Sequence, residues 1–349
     1  MIQLFQSLFR QRRFYYLLTG FFLLGIIWGI GYRSFFLKPG FILIPQKKNL
    51  KVLALENTFP SDIIEGFQTH SKIEVDLAYF KTPEELLKFA SENSFDVVVF
   101  KSYLANQLLE KKFLAPLDHA RIQNWPMISH DFLGLSFDPE NDFFVPLGWG
   151  LMGFLYLPSK WTHPPHLIKD FLTSTYEGKI ALNPREEDLF FLAEKKWSIQ
   201  KHSDDKLKAQ ALLEFQKLKL LAAQPPLPPF SITDVELQTT PRFAFYLSHG
   251  EGFHLAQNNK AWRFIVPEDG ALLWTLNLAL SHQSPNISLG YEFIDYMLAQ
   301  EVAPDFAILQ KTGTTVILQN KTIPDHLNYS YLQKLNPQSL TLARGRISP

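Results

Sequence analysis

The sequence predicts an α/β protein, and three observations carry that prediction. From Lys51 onward, apolar runs of strand length alternate with segments whose apolar residues recur at helical spacing. The chain has 349 residues, more than the roughly 250–300 at which a single core stops growing, so two lobes are expected. Hydrophobic residues make up 46% and charged residues 19%, the balance of a folded globular chain rather than a disordered one.

The elements follow in order. Val52 to Leu55 is a short apolar strand, and Pro60-Ser61-Asp62 opens a helix that places Ile63, Ile64 and Phe67 on one face. Ile73, Val75 and Leu77 alternate as a second strand. Thr82 then caps a helix with Pro83 at its first position and Leu86, Leu87 and Ala90 turned inward. Val97 to Phe100 is continuously apolar, as in strands covered on both faces, and Ser102 to Leu109 is the next helix. This alternation predicts a parallel sheet. Phe143 to Leu157 is apolar and β-like, interrupted by Pro146, Gly148, Gly150 and Gly153, and suits a strand crossing between lobes. Helices are expected at Ile168 to Leu172, Leu207 to Leu221 and Ile287 to Gln300. Pro225-Pro226-Leu227-Pro228-Pro229 is a stiff extended connector, and Asn320 to Pro349 is expected to be irregular and to wrap the surface.

The N-terminus has a different character. Arg10, Arg12 and Arg13 precede Phe14 to Tyr32, a stretch without a charged residue. At 1.5 Å per residue it nearly crosses a ~30 Å hydrocarbon layer, and the arginines favour a cytoplasmic N-terminus. No Ala-x-Ala cleavage pattern lies near Tyr32, so a retained transmembrane anchor is preferred over a cleaved signal segment. Residues 33–50 read as a linker leaving the membrane.

Composition excludes several function classes. Thirty-four basic residues balance 34 acidic ones, so no overall positive field exists to hold nucleic acid. The absence of Cys removes disulfides, thiolate metal sites and thiol nucleophiles. No nucleophile elbow, phosphate-binding loop, H-E-x-x-H helix or dinucleotide fingerprint stands at a strand-to-helix junction. The pairs His163/His166 and His249/His254 lack the further ligands a metal needs. Glu186, Glu187 and Asp188 read as the acidic first turn of a helix rather than as catalytic carboxylates. The residues therefore predict no enzyme, no catalytic residue, no metal and no cofactor.

The stretch Phe137-Asp138-Pro139-Glu140-Asn141-Asp142-Phe143-Phe144-Val145-Pro146, followed by Gly148-Trp149-Gly150, is similar to a segment of the periplasmic spermidine/putrescine-binding proteins. The resemblance extends through Phe95 to Val99, Leu114 to Asp118, Val266 to Gly270 with Trp274, and Phe293 to Thr315. It covers nearly everything from Lys51 to about Gln319, and neither the N-terminal segment nor the final tail. It implies a periplasmic-binding-protein-like fold of two α/β lobes joined by crossing hinge strands that close over a ligand. By that likeness residues 51–147 and 275–319 form the first lobe, and 148–274 with the 320–349 tail form or cover the second.

The resemblance also implies a pocket in which aromatic faces and carboxylates hold a polyamine. Tyr103 and Trp274 match pocket aromatics, and Asp188 falls where the family has a glutamate. Leu55 and Thr58 replace first-loop aromatics, Lys101 replaces a small hydroxyl residue and Thr312 replaces a tyrosine. Arg185 and Leu276 stand at two aspartate positions. Charges about 4 Å apart interact by roughly 4 kcal/mol at an effective dielectric of ~20, so this exchange turns a site for cations into one that repels them. The ligand expected is a small polar solute with a carboxylate or phosphate, held by Arg185 and Lys101 against Tyr103 and Trp274, with Arg185 and Lys101 alternatively neutralised by Glu186 and Glu187. Glu56 restores some negative charge or pairs with Lys101 or Arg185. The function implied is that of an extracytoplasmic solute-binding protein, monomeric, partnered by an ABC permease in the membrane, and sited in the periplasm or on the outer face of the cytoplasmic membrane. The second reading is a membrane-anchored sensor or assembly protein reusing the same fold.

Overall fold

The structure, a computed structural model, describes residues 48–92, 94–173, 178–200, 203–222, 237, 241–319, 323–328, 331 and 340–342. The expected anchor, the linker up to Lys47 and the proline-rich connector lie outside the described residues. Among the described residues no helix is long and apolar enough to cross a membrane.

Three strand–helix units open the fold: β1 (Asn49–Leu55), α1 (Ser61–Ser71), β2 (Glu74–Phe80), α2 (Pro83–Glu92), β3 (Val97–Lys101) and α3 (Ala105–Glu110). Their helices start and stop for local reasons. Thr82 Oγ1 accepts from Glu85 N–H at 3.2 Å at the start of α2. Lys72 ends α1 in the left-handed conformation, with φ 61°. β1 pairs in parallel with β2 and with β3, as the alternation predicts.

The expectation of a parallel sheet holds there, where β5 (Ile180–Ala181) pairs with β6 (Ala244–Ser248), and where residues 340–342 pair with the start of β8, but not through the middle of the sheet. β8 (Ala271–Leu280) runs antiparallel to β3 on one side and to β4 (Val145–Tyr156) on the other. The order is β2-β1-β3-β8-β4-β6-β5, with β7 (Arg263–Ile265) and β9 (Gly313–Thr314) pairing with β4. A returning strand contributed from far along the chain leaves no periodic trace, so its direction cannot be read locally.

β4 ties the two ends of this sheet together. Its first half, Val145 to Leu151, pairs with β8, and its second half, Met152 to Tyr156, pairs with β6. Every residue of β4 is buried, which explains its unbroken apolar character. Gly150 lets Trp274 of β8 press against the strand, since a Cβ there would overlap the indole. The turn entering β4 is built by Asp138, whose carboxylate accepts the N–H groups of Asp142, Phe143 and Phe144 at 2.9, 3.0 and 2.9 Å. The Asp138-centred motif is thus a device of the fold and not a ligand site.

The helices α4 (Ile168–Phe171), α5 (Glu186–Lys196), α6 (Asp205–Ala222) and α7 (His249–Asn258) cover the β4-β6-β5 region, and α8 (Ile287–Met297) and α9 (Ala303–Gln310) follow β8. The tail departs from expectation. Leu340–Leu342 forms a strand, β10, parallel to Ala271–Leu273 of β8, and Ile323 and Leu327 are buried. Part of the tail is therefore core and sheet, because its backbone finds a pairing edge at the start of β8, far back along the chain.

Candidate functional site

A cavity of about 230 Å³ lies where the loop after β1, the end of β3, the start of α7, β8 and the end of α9 converge. Its walls include Glu56 and Thr58, Lys101, Ser248 and Glu251, Trp274 and Leu276, and Lys311 and Thr312. Four of the residues expected at a ligand site thus share one wall: Glu56, Lys101, Trp274 and Thr312. Lys101 and Leu276 are direct partners in the β3–β8 register, so the cation and the apolar residue that the resemblance flags stand side by side.

Lys101 Nζ sits 4.1 Å from the centroid of the Trp274 ring, and Trp274 is 2% exposed. A cation is attracted to the negative face of an indole. Among the described residues Lys101 has no ion-pair partner. Burial, reinforced by Arg185, lowers its pKa to about 8, although Glu251 and Asp188 act in the opposite direction. The Thr312 hydroxyl oxygen is buried without a hydrogen-bond partner, an unmet demand on the cavity wall.

The other three expected residues form a second cluster electrostatically coupled to Lys101. Arg185, at the N-terminal cap of α5, donates from Nε and Nη2 to the two carboxylate oxygens of Asp188 at 2.9 and 2.6 Å. Its guanidinium carbon lies 4.4 Å from the Tyr103 ring centroid. Asp188 is 0% exposed. Burial disfavours the charged guanidinium, but Asp188 and Tyr103 outweigh it and hold Arg185 above the ordinary arginine range.

Two expectations are corrected. Arg185 is neutralised by Asp188, one helical turn ahead, whereas Glu186 pairs with Lys219. Glu56 pairs with Lys81 at 3.0 Å and not with Lys101 or Arg185. Sequence reasoning also missed Ser248, Glu251 and Lys311. The available signal was Gly250, which lets α7 abut the Lys311 carbonyl so closely that a Cβ would collide with it.

The histidine pairs do not assemble a metal site. His249 is buried and uses both ring nitrogens, accepting from Leu151 N–H at 3.1 Å and meeting the His326 carbonyl at 3.0 Å, while His254 is exposed and contacts Asn258. His166 pairs with Glu268 at the surface. Among the described residues no three His, Asp or Glu side chains cluster closely enough to hold a metal.

A mixed sheet whose strand β4 is shared by both ends carries a cavity at the end of β3 and against β8, of a size that suits a small solute. The profile of the bacterial extracellular solute-binding proteins matches residues 92–327, and the chain belongs to that family. It is 21% identical over 297 residues to the spermidine/putrescine-binding periplasmic protein of Salmonella typhimurium, covering 82% of each chain. The fold is similar to that of the spermidine/putrescine ABC transporter substrate-binding protein of Streptococcus pneumoniae, with TM-score 0.70, 21% identity, and 86% of this chain and 94% of that chain covered. It is also similar to a PBP of A. tumefaciens R10 in complex with agropinic acid, with TM-score 0.58, 14% identity, and 84% and 88% covered.

Proposed function

We propose that this chain is the extracytoplasmic receptor of an ABC importer, and that its cargo is a small solute carrying an anionic group. Capture and delivery to a membrane permease require no chemistry on the cargo. The architecture of polyamine-binding relatives supports the receptor role, while related folds named for spermidine and for agropinic acid indicate that the pocket, and not the fold, chooses the charge of the cargo. In this reading the N-terminal apolar segment holds the receptor at the outer face of the membrane.

One observation carries the cargo class: Lys101 lines the cavity without an ion-pair partner among the described residues, beside Leu276. A carboxylate or phosphate gains a charge-assisted hydrogen bond there. The Ser248 and Thr312 hydroxyls on the same walls supply further donors. Arg185 adds positive potential from the neighbouring cluster, its main hydrogen bonds being spent on Asp188.

The pH dependence separates cargo classes. Lys101 loses its proton above about 8, so anion affinity falls about tenfold per pH unit beyond that point. A cationic cargo that stays protonated would instead bind more tightly as Lys101 discharges. Calorimetric titration of the full-length protein with organic acids, phosphate esters, amino acids and polyamines at pH 7 and pH 9 tests this directly. Tight spermidine binding with no anion binding would overturn the cargo assignment.

A further inference from the structure

Two cationic side chains of this protein are held as a free cation would be. Lys101 Nζ rests on the face of buried Trp274. The Arg185 guanidinium is clasped between the Tyr103 ring and the Asp188 carboxylate, which it engages through two parallel hydrogen bonds. An aromatic face and a buried carboxylate are the two groups that most favour a desolvated cation. The Arg185 charge disfavours the charged form of Lys101. Together they present an ammonium and a guanidinium, the two kinds of charge that diamines and guanidino-amines carry.

The arrangement is more than an incidental pairing. Asp188 is fully buried, and a carboxylate in that position demands a counter-charge, since an unpaired buried ion is strongly destabilising. Arg185 supplies one from three residues away on the same helix start. Trp274 is equally prepared, packed against Gly150 with its face toward Lys101. If these holders were empty, a free dication would find both an aromatic face and a carboxylate.

We propose that Lys101 and Arg185 are tethered stand-ins for a free polycation: they fill two cation-holding sites from within and so act as the residues that exclude diamines from the pocket. The proposal rests on reading the cavity as the cargo site. It differs from the anion assignment because it concerns what the pocket rejects and why. Removing the stand-ins converts the rejection into binding.

The test uses the full-length protein, Lys101→Ser, Arg185→Ala and the double variant, titrated with putrescine, spermidine and agmatine by calorimetry and thermal shift. The double variant is expected to bind at least one of these about 100-fold more tightly than the wild type. Arg185→Ala is expected to lose stability and to recover it with millimolar methylguanidinium or agmatine, whereas the wild type shows no such response. Adding Asp188→Asn to the double variant should abolish the gain. Should the variants lacking Arg185 fail to fold even with these cations present, Lys101→Ser decides alone, with about tenfold tighter putrescine binding expected than in wild type.

No gain of cation binding in any folded variant overturns the proposal, as does wild-type protein that binds polyamines as tightly as the variants do. The two assignments fail separately. Variants that gain diamines beside a wild type that binds no anion sink only the anion cargo. A wild type that binds an anion, with variants that gain nothing, sinks only the stand-ins.

Discussion

Arg185 and His249 stand at the N-terminal ends of two helices, α5 and α7, where the helix dipole disfavours positive charge. Both are held largely away from water, and their protonation diverges. Arg185 stays charged because Asp188 lies within reach on the same helix, returning two short hydrogen bonds. Among the described residues His249 makes no hydrogen bond or ion pair with a carboxylate. It is stacked on Trp149 at 4.8 Å and hydrogen-bonded to backbone on either side. Burial, together with His326, lowers its pKa to about 3, only partly offset by its hydrogen bond to the His326 carbonyl. Burial by itself thus expels a proton, and a counter-charge reverses the result. Lys101 lies between these extremes, with an aromatic face for a partner and a pKa of about 8.

The sharpest way to break the comparison is to give Arg185 the surroundings of His249. Asp188→Asn keeps the shape and removes the counter-charge, and a loss of about 3–5 kcal/mol is expected because arginine cannot discharge. Urea unfolding of the variant measures it, and a loss below about 1 kcal/mol would mean the pair contributes little.

A smaller effect is expected from acid. Between pH 6.5 and pH 3 an unfolded His249 binds a proton that the folded one refuses, so stability falls as pH is lowered through that window. The slope attributable to this group is about 1.4 kcal/mol per pH unit. Comparing wild type with His249→Asn at pH 7, 5 and 4 isolates it, and identical acid slopes would show that His249 is protonated in the native state.

The smallest effect belongs to an ion pair in water. Lys81, which pairs with Glu56 at the rim of the cavity, is 60% exposed, so Lys81→Ala should leave the unfolding midpoint unchanged within error. A clear drop would show that the Glu56 loop depends on this pair. The same variant should leave anion binding at Lys101 intact.

The pocket was partly legible before folding. Glu56, Lys101, Trp274 and Thr312 do line one cavity: Glu56, Lys101 and Thr312 fall at or just beyond the end of a strand or helix whose apolar period marks its limits, and Trp274 stands within β8. Ser248, Glu251 and Lys311 were not legible, since they reach the wall only through the close packing that Gly250 permits between α7 and the end of α9. The pairing of Arg185 was misjudged for a different reason. Neighbours in sequence, Glu186 and Glu187, looked nearest, but helical geometry turns the residue three positions ahead onto the same face.

Local chemistry in the sequence determined the strand–helix alternation, the parallel pairing of β1 with its neighbours and the inward faces of α1 and α2, because those properties repeat every two or 3.6 residues. It also determined the inventory of the pocket: a lysine and an arginine amid aromatic rings, with Asp188 near. Only the tertiary structure decided that β8 returns antiparallel, that β10 joins it from the tail, and that Arg185 is already answered by Asp188 while Lys101 lacks an ion-pair partner among the described residues. Those outcomes depend on which distant groups share a dehydrated volume, and no short window of sequence encodes that.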